Sequence, residues 1–578
     1  MAEGNPRQVV YTLQARCRDC YRCVRVCPIK AIRIDDGQAF VDPDRCISCG
    51  TCVRECPQDA KTFRRDLDKA EDLVAHHAFV AVSLAPSFAG VFEPWQYARI
   101  PSALRSLGFE YVAETAVGAY LVAQRTAACA QDKPQTSICT ACPAVVTYIE
   151  KYAPAKIVNL LPVVSPMIAH ARHIKDRFGP EAKVVFIGPC VAKKTEADRP
   201  EFNGLVDCVL TFDEFEEWLK RKHIDLAHCE DSAFDEQPQG KSRLFPVEGG
   251  CMATTTLNTS VVDEKLVFVS GFQEMKDVLD AADKGLTPCI VEPLFCAHGC
   301  VNGPGVSKVG NLFERRARII RYAQENPGVA PGNALSIDLQ TVFGAHPALR
   351  VSADEQEVLA VLDKAGKARK EDQLNCGACG YASCRDQAAA VVQGMAEVEM
   401  CIPYMRRLAE QRSDRIMETS PNGIVVLDAD LNILNVNPAF LKMFRVAGTC
   451  LGKSISHLID PEPFDRVKSG QVDTADDIRL HKLQGVIARG IVYGLRAEKQ
   501  YVGIFINITA DHLNAERLQK VKDETAVQAR ELHEHQIEMA RQFANFLGEY
   551  TAKGEQLVNK LMQAVESRDG VEDKDKKS

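Results

Sequence analysis

The chain has 578 residues, well beyond the roughly 100 to 200 of one domain, so a string of modules is expected. With 46% hydrophobic and 26% charged residues and a formal net charge of -8, it gives no electrostatic reason for a nucleic-acid partner. No apolar run approaches the ~20 residues that span a bilayer, and the opening MAEGNPRQVV has neither an apolar signal core nor a twin-arginine run, so no membrane partner and a cytoplasmic location are expected.

In a reducing cytoplasm, 23 cysteines are not a disulfide framework and point to metal. In chain order, the first module is expected over 1–65. There Cys17, Cys20, Cys23 and Cys27 have the spacing C-x2-C-x2-C-x3-C-P, and Cys46, Cys49, Cys52 and Cys56 repeat it. Short spacers let three thiolates wrap one face of a 4Fe-4S cube while the fourth reaches the other cube. Cys17, Cys20, Cys23 and Cys56 are thus expected to hold one cluster, and Cys46, Cys49, Cys52 and Cys27 the second. Zinc fits poorly, because its sites are normally closed by two local pairs of ligands. The module resembles the bacterial-type ferredoxins.

Over 75–345, β-rich runs such as AFVAVSLAP, AKVVFIGPC, DCVLTF, KLVFVSGF and PCIVEPLFC alternate with helical stretches such as SPMIAHARHIKDRFG and DEFEEWLKRK. That alternation predicts an α/β domain, and several runs end at Cys, Pro or Gly, where α/β folds place ligands. Three segments carry cysteines in order: CTACPAVVTYIEKY with Cys142, IGPCVAKKTE with Cys190, and VEPLFCAHGCVNGPG with Cys296 and Cys300. With LAPS, SALRSLGFEYVAET and FPVEGGCM, they resemble the loops that hold the H-cluster of iron-only (FeFe) hydrogenases.

That resemblance implies that Cys142, Cys190, Cys296 and Cys300 hold a 4Fe-4S cube, with Cys300 bridging to a di-iron unit bearing CO, CN and dithiolate. It implies that Lys193 lies at a cyanide of the distal iron, that Glu196 pairs near Lys193, and that Ser87 makes a polar contact to the cofactor. Hydrogen and protons are the implied substrates at an oxygen-sensitive centre, and maturation enzymes supply the di-iron unit. Catalytic relatives have a proton-relaying cysteine just before the first cube ligand; here that residue is Ala141. Two methionines that usually flank the di-iron unit are replaced by Gly188 and Leu294. Slow turnover is the expectation, since a methyl group carries no proton. Cys139, Cys251 and Glu292 lie near the motifs and offer another route, but read more simply as core residues.

Over 355–408, Cys376, Cys379, Cys384 and Cys401 resemble a further small 4Fe-4S domain, with Gly377 and Gly380 easing the wrap around a cube; zinc is the runner-up there. The segment 412–510, with RIMETSPNGIVVLDADLNILNVNPAFLKMF and the strands GVIARGIVYGL and QYVGIFINIT, resembles a PAS domain. Cys450 or His457 alone is too little to propose haem or flavin. Leu518, Leu532, Met539 and Phe546 share a seven-residue frame in a helix expected over 511–566, either a coiled coil or an amphipathic helix docked on its own domain. Residues 567–578 read as a disordered tail. His533 and His535 read as solvent-facing.

The expected fold is therefore multidomain α+β and α/β: a ferredoxin-like double 4Fe-4S module, an α/β H-cluster domain, a small 4Fe-4S domain, a PAS domain and a C-terminal helix. The leading function is a hydrogen-sensing hydrogenase of slow, reversible turnover. Its clusters exchange electrons with a redox partner such as ferredoxin, and its PAS domain signals to a separate kinase or phosphatase, with a homodimer as a candidate assembly. A high-turnover hydrogenase is the alternative, and a non-catalytic iron-sulfur assembly relative the second alternative.

Overall fold

The computed structural model describes residues 8–131, 135–255, 265–283, 289–306, 310–329, 337–348, 352–446 and 448–566. The expected tail over 567–578 lies outside them. The chain divides into two compact units, Met1–Arg406 and Arg407–Ser578.

The first unit opens with two short antiparallel pairs, β1 (Val10–Thr12) with β4 (Lys61–Phe63) and β2 (Ile32–Asp35) with β3 (Gln38–Val41). Each cysteine run turns through a left-handed residue between its second and third cysteines, Tyr21 at φ 52° and Gly50 at φ 72°, straight into the helices Arg22–Val26 and Thr51–Arg54. The internal repeat in sequence is thus a repeat in backbone. At position 50 the glycine has a second reason: a Cβ there would lie 2.5 Å from the Pro304 ring.

Next come two parallel sheets. β5 (Val80–Leu84), β6 (Tyr111–Glu114), β8 (Lys183–Gly188) and β9 (Cys208–Thr211) form one in the order β6-β5-β8-β9. β7 (Ser137–Ile138), β10 (Leu266–Ser270) and β11 (Ile290–Leu294) form the other in the order β10-β11-β7. β5 and most of β8 are buried, so they read as continuous apolar runs, as parallel strands covered on both faces do. The first sheet reverses direction of growth at β5 and β8, and ligands of open α/β sheets gather outside the carboxyl ends at such a switch point.

The cysteine segment 372–403 rests on the ferredoxin-type module. Arg25 donates to Ala378 O at 3.2 Å, Ile34 N to Met395 O at 3.1 Å, and Gly37 N to the Glu397 carboxylate at 3.2 Å. Gly380, at φ 94°, sits so close to Arg25 that a Cβ would stand 3.1 Å from its backbone nitrogen.

The second unit holds a five-stranded antiparallel sheet of β12 (Gly423–Leu427), β13 (Ile433–Val436), β14 (Thr474–His481), β15 (Val486–Leu495) and β16 (Gln500–Asn507), in the order β13-β12-β16-β15-β14. Asn437 caps the helix Pro438–Met443 and also accepts from Ile424 N, tying that helix to β12. Phe440, Phe444, Phe464 and Phe505 fill the interior. The helix Thr509–Glu566 runs 58 residues with its described side chains exposed from Asp511 onward, so it is not docked on its own domain.

Candidate metal centres

Five strands deliver residues to one cavity of about 90 Å³. Ala85, Pro86 and Ser87 follow β5, Thr115 follows β6, and Ala141, Cys142 and Pro143 follow β7; Pro189, Cys190 and Lys193 follow β8, Leu294 ends β11, and Cys300 closes the wall. Strand ends bring together residues more than 200 positions apart because parallel strands all point their carboxyl ends one way.

The cysteines form a set. Burial pushes the Cys190 thiol up to about 12, with Cys142 adding to the effect. Cys296 and Cys300 are raised by burial first, then by the neighbouring cysteines of the same set. With their thiols raised, Cys190, Cys296 and Cys300 are poor thiolates unaided, and the positive charge of an iron cluster is what turns such cysteines into ligands. The polar wall also suits an anionic group. Ser87 Oγ is buried without a hydrogen-bond partner, and the buried Lys193 ammonium lies 2.8 Å from Glu196 Oε2 and 3.4 Å from Ala141 O. The residues present therefore fit an H-cluster: Cys142, Cys190, Cys296 and Cys300 for the cube, with Ser87 and Lys193 beside the di-iron space.

Ala141 turns only a methyl toward the cavity. At Gly188 a side chain is impossible without rearrangement, since a Cβ would meet the Phe186 ring at 2.6 Å. Phe186 itself lines the cavity and takes that space. Cys139, Cys251 and Glu292 are buried together; Glu292 accepts from Cys251 N at 3.1 Å and Met252 N at 3.0 Å, and burial raises its carboxyl to about 7.

The ferredoxin-type cysteines sort into two groups. Cys23 is raised by burial first and then feels Cys17, Cys20 and Cys56, while Cys52, raised by burial, feels Cys46, Cys49 and Cys27. Cys49 packs with Cys142 and Cys190 in one apolar cluster, and Arg54 donates to Asn302 O at 2.9 Å, so the second group abuts the cavity. Cys27 and Cys379 share another apolar cluster, with Tyr381 between them.

Cys376, Cys379, Cys384 and Cys401 line a single small hollow. Among the described residues no three Cys, His, Asp or Glu converge on a single-ion site; a cube asks instead for four thiolates at its corners. Sequence reasoning missed Lys367, whose buried ammonium lies 3.2 Å from Cys384 Sγ and 3.0 Å from Cys401 Sγ. It also did not single out Met167, or Thr115 at the end of the SALRSLGFEYVAET segment, both in the wall of the main cavity. In the second unit the cavity beside Phe464, His481 and Phe505 is about 20 Å³, room for a water and not for an organic cofactor.

Known proteins agree with this division. Residues 78–304 match the family model of the iron only hydrogenase large subunit, C-terminal domain, 16–60 a 4Fe-4S dicluster domain, 372–403 an Fe-S cluster family, and 411–478 a PAS domain. The periplasmic iron hydrogenase large subunit of Nitratidesulfovibrio vulgaris is 27% identical over 271 residues, 38% of this chain and 64% of the relative. The cytosolic Fe-S cluster assembly factor NAR1 of Vanderwaltozyma polyspora is 37% identical over 94 residues, 16% of this chain and 18% of that protein. The solved apo FeFe-hydrogenase HydA1 of Chlamydomonas reinhardtii is 20% identical, with a TM-score of 0.40, covering 49% of this chain and 100% of its own. The alignments thus span under two thirds of either curated relative's length. No helix among the described residues is long and apolar enough to cross a membrane. Residues 78–304 thus form an iron-only hydrogenase large-subunit domain, in a chain that also carries a 4Fe-4S dicluster domain and a PAS domain.

Proposed function

We propose that the protein is a cytoplasmic hydrogen sensor: an FeFe hydrogenase of slow, reversible turnover whose redox state is passed through 4Fe-4S clusters to a PAS domain. The observation that carries this reading is the cavity itself, which has Cys142, Cys190, Cys300, Lys193 and Ser87 in its wall yet places Ala141, with no exchangeable proton, beside Cys142. When bound, the H-cluster supplies an open iron site for hydrogen and a basic amine for its proton. The chain's part is to hold the cube with Cys142, Cys190, Cys296 and Cys300. Lys193 and Ser87 position the anionic di-iron unit, Lys193 itself being fixed by Glu196. The apolar wall of Pro86, Met167, Phe186 and Leu294 excludes bulk water and so strengthens those charges.

Electrons leave toward Cys49 and its group, since that group packs against the cavity. From there two exits are open. The Cys17, Cys20, Cys23 and Cys56 cluster has the exposed Cys20 at its edge and suits a soluble partner such as ferredoxin. The Cys376, Cys379, Cys384 and Cys401 cluster lies on the Cys27 side and precedes the helix Ile402–Thr419, giving the PAS domain a redox input. The output is a kinase or phosphatase on another chain, and the di-iron unit requires maturation enzymes.

Iron-sulfur assembly is the second reading, favoured by the similarity to NAR1. The two separate in one experiment: infrared spectroscopy of anaerobically matured protein under argon and then hydrogen, with the uptake rate of the same sample. Carbonyl and cyanide bands that shift with slow uptake are expected. Rapid uptake would make the protein a working hydrogenase, and absent bands would leave an assembly factor.

A further inference from the structure

The cavity lacks an acid at position 141, yet protons must cross about a layer of secondary structure to reach solvent if hydrogen is split there. One buried polar file runs outward from its wall. Thr115 lines the cavity, and its hydroxyl shares a hydrogen bond of 2.7 Å with Ser83 Oγ; Ser83 Oγ in turn lies 2.8 Å from His170 Nδ1. Ser83, Thr115 and His170 are all buried. His170 Nε2 is buried with no hydrogen-bond partner. His173 stacks one turn further along the same helix, Pro166–Phe178, with ring centroids 6.2 Å apart and planes tilted by 20°. His173 Nε2 meets both Glu236 oxygens at 3.0 Å, and Glu236 pairs with Arg177 at 2.9 Å and Tyr111 OH at 2.5 Å. The Arg177 side chain is half exposed.

We propose that Thr115, Ser83, His170, His173 and Glu236 form a proton path between the cavity and solvent, taking the place of the missing shuttle residue. This rests on the reading that the cavity holds an H-cluster. Every transfer makes one O–H or N–H bond as another breaks, and no electrons move. An outgoing proton passes from the Thr115 hydroxyl to Ser83 and onto His170 Nδ1, while His170 gives up its Nε2 proton. One water between the stacked rings hands it to His173, and Glu236 receives it at the surface. His170 needs no net charge for this, because it takes a proton on one nitrogen as it releases one from the other. The groups facing the file are His173, Glu236, Tyr111 and Arg177.

The placement of His170 is itself built. Gly118, in the helix Ala116–Gln131, would put a Cβ 2.4 Å from Pro166 O and 2.7 Å from His170 Cβ, so only glycine lets the two helices close enough to set the imidazole under Ser83.

The test uses S83A and T115V, which remove a hydroxyl each at nearly constant volume, and T115S, which keeps it. In matured full-length protein, infrared bands under argon and hydrogen should keep their wild-type positions in all three. In S83A and T115V the conversion between the two band sets and the formation of HD from D2 and water should slow by about a hundredfold, within the range for loss of a positioned proton carrier. T115S should retain both rates. Intact bands with unchanged rates in S83A and T115V overturn the path while leaving the cofactor reading in place. Absence of the bands in wild type overturns both.

Discussion

Replacing Ala141 by cysteine tests why turnover should be slow. The substitution adds one sulfur to the wall of a cavity of about 90 Å³ whose other polar side chains are Ser87, Thr115 and Lys193 with the cysteines. A positioned proton carrier is worth about 10² to 10⁴ in rate. The remaining wall, Ala85, Pro86, Ala119, Pro143, Pro166, Met167 and Phe186, offers the thiol few groups to pass its proton to, so the gain belongs at the low end. A rise of about a hundredfold, close to 2.7 kcal/mol at 1.36 kcal/mol per decade, is expected. Dye-coupled hydrogen uptake measures it, with infrared bands on the same sample confirming equal cofactor loading. A141C protein with full bands and the wild-type rate would refute the reasoning, as would fast uptake by the wild type.

Other residues give independent tests. Lys194 is fully buried between Asp66 at 3.0 Å and Glu214 at 2.9 Å, so K194M leaves two buried carboxylates facing each other and should cost about 3 to 5 kcal/mol in denaturant unfolding. K367M removes the ammonium from Cys384 and Cys401 and should lower the potential of that cluster, since the charge favours its more negative, reduced form; a fall on the order of 60 mV, tenfold for one electron, is expected by redox titration with EPR. Glu292 has its carboxyl raised to about 7 by burial, above the ordinary 4.5. Its contribution to stability is therefore complete below pH 4.5 and lost as pH rises through 7, and E292Q should flatten the fall in melting temperature across that window. Leu518, Leu532, Met539 and Phe546 are all exposed on the helix Thr509–Glu566, so deletion beyond residue 510 should turn a dimer into a monomer by gel filtration; an unchanged oligomeric state would remove this helix as the seam.

Much of the architecture was legible without coordinates, and the reasons differ from place to place. The runs from Cys17 to Cys27 and from Cys46 to Cys56 are readable because a cube is held by a loop of a few residues, so spacing is geometry. The strands Val80–Leu84 and Lys183–Gly188 are readable because burial on both faces demands unbroken apolar runs. The seven-residue frame after Asp511 named a helix but left its surroundings open, and the structure shows it exposed instead of docked on its own domain.

Sequence also pointed to Lys193, while its neighbour looked equivalent. Adjacent residues of a helix diverge by about 100°, so in Ala192–Ala197 Lys193 turns to the cavity and Lys194 to Asp66 and Glu214. No local pattern announces that partnership, nor the 17 and 34 residues that separate Lys367 from the two sulfurs it touches. The docking of 372–403 on the ferredoxin-type module joins residues about 350 positions apart. His170 reads in sequence as one polar position in an amphipathic helix. Only the close approach permitted by Gly118 sets it beneath Ser83. Ligand spacing and strand patterning are fixed by forces within a few residues, so the chain states them directly. Which buried side chains meet depends on how separate elements pack, and that is decided in three dimensions.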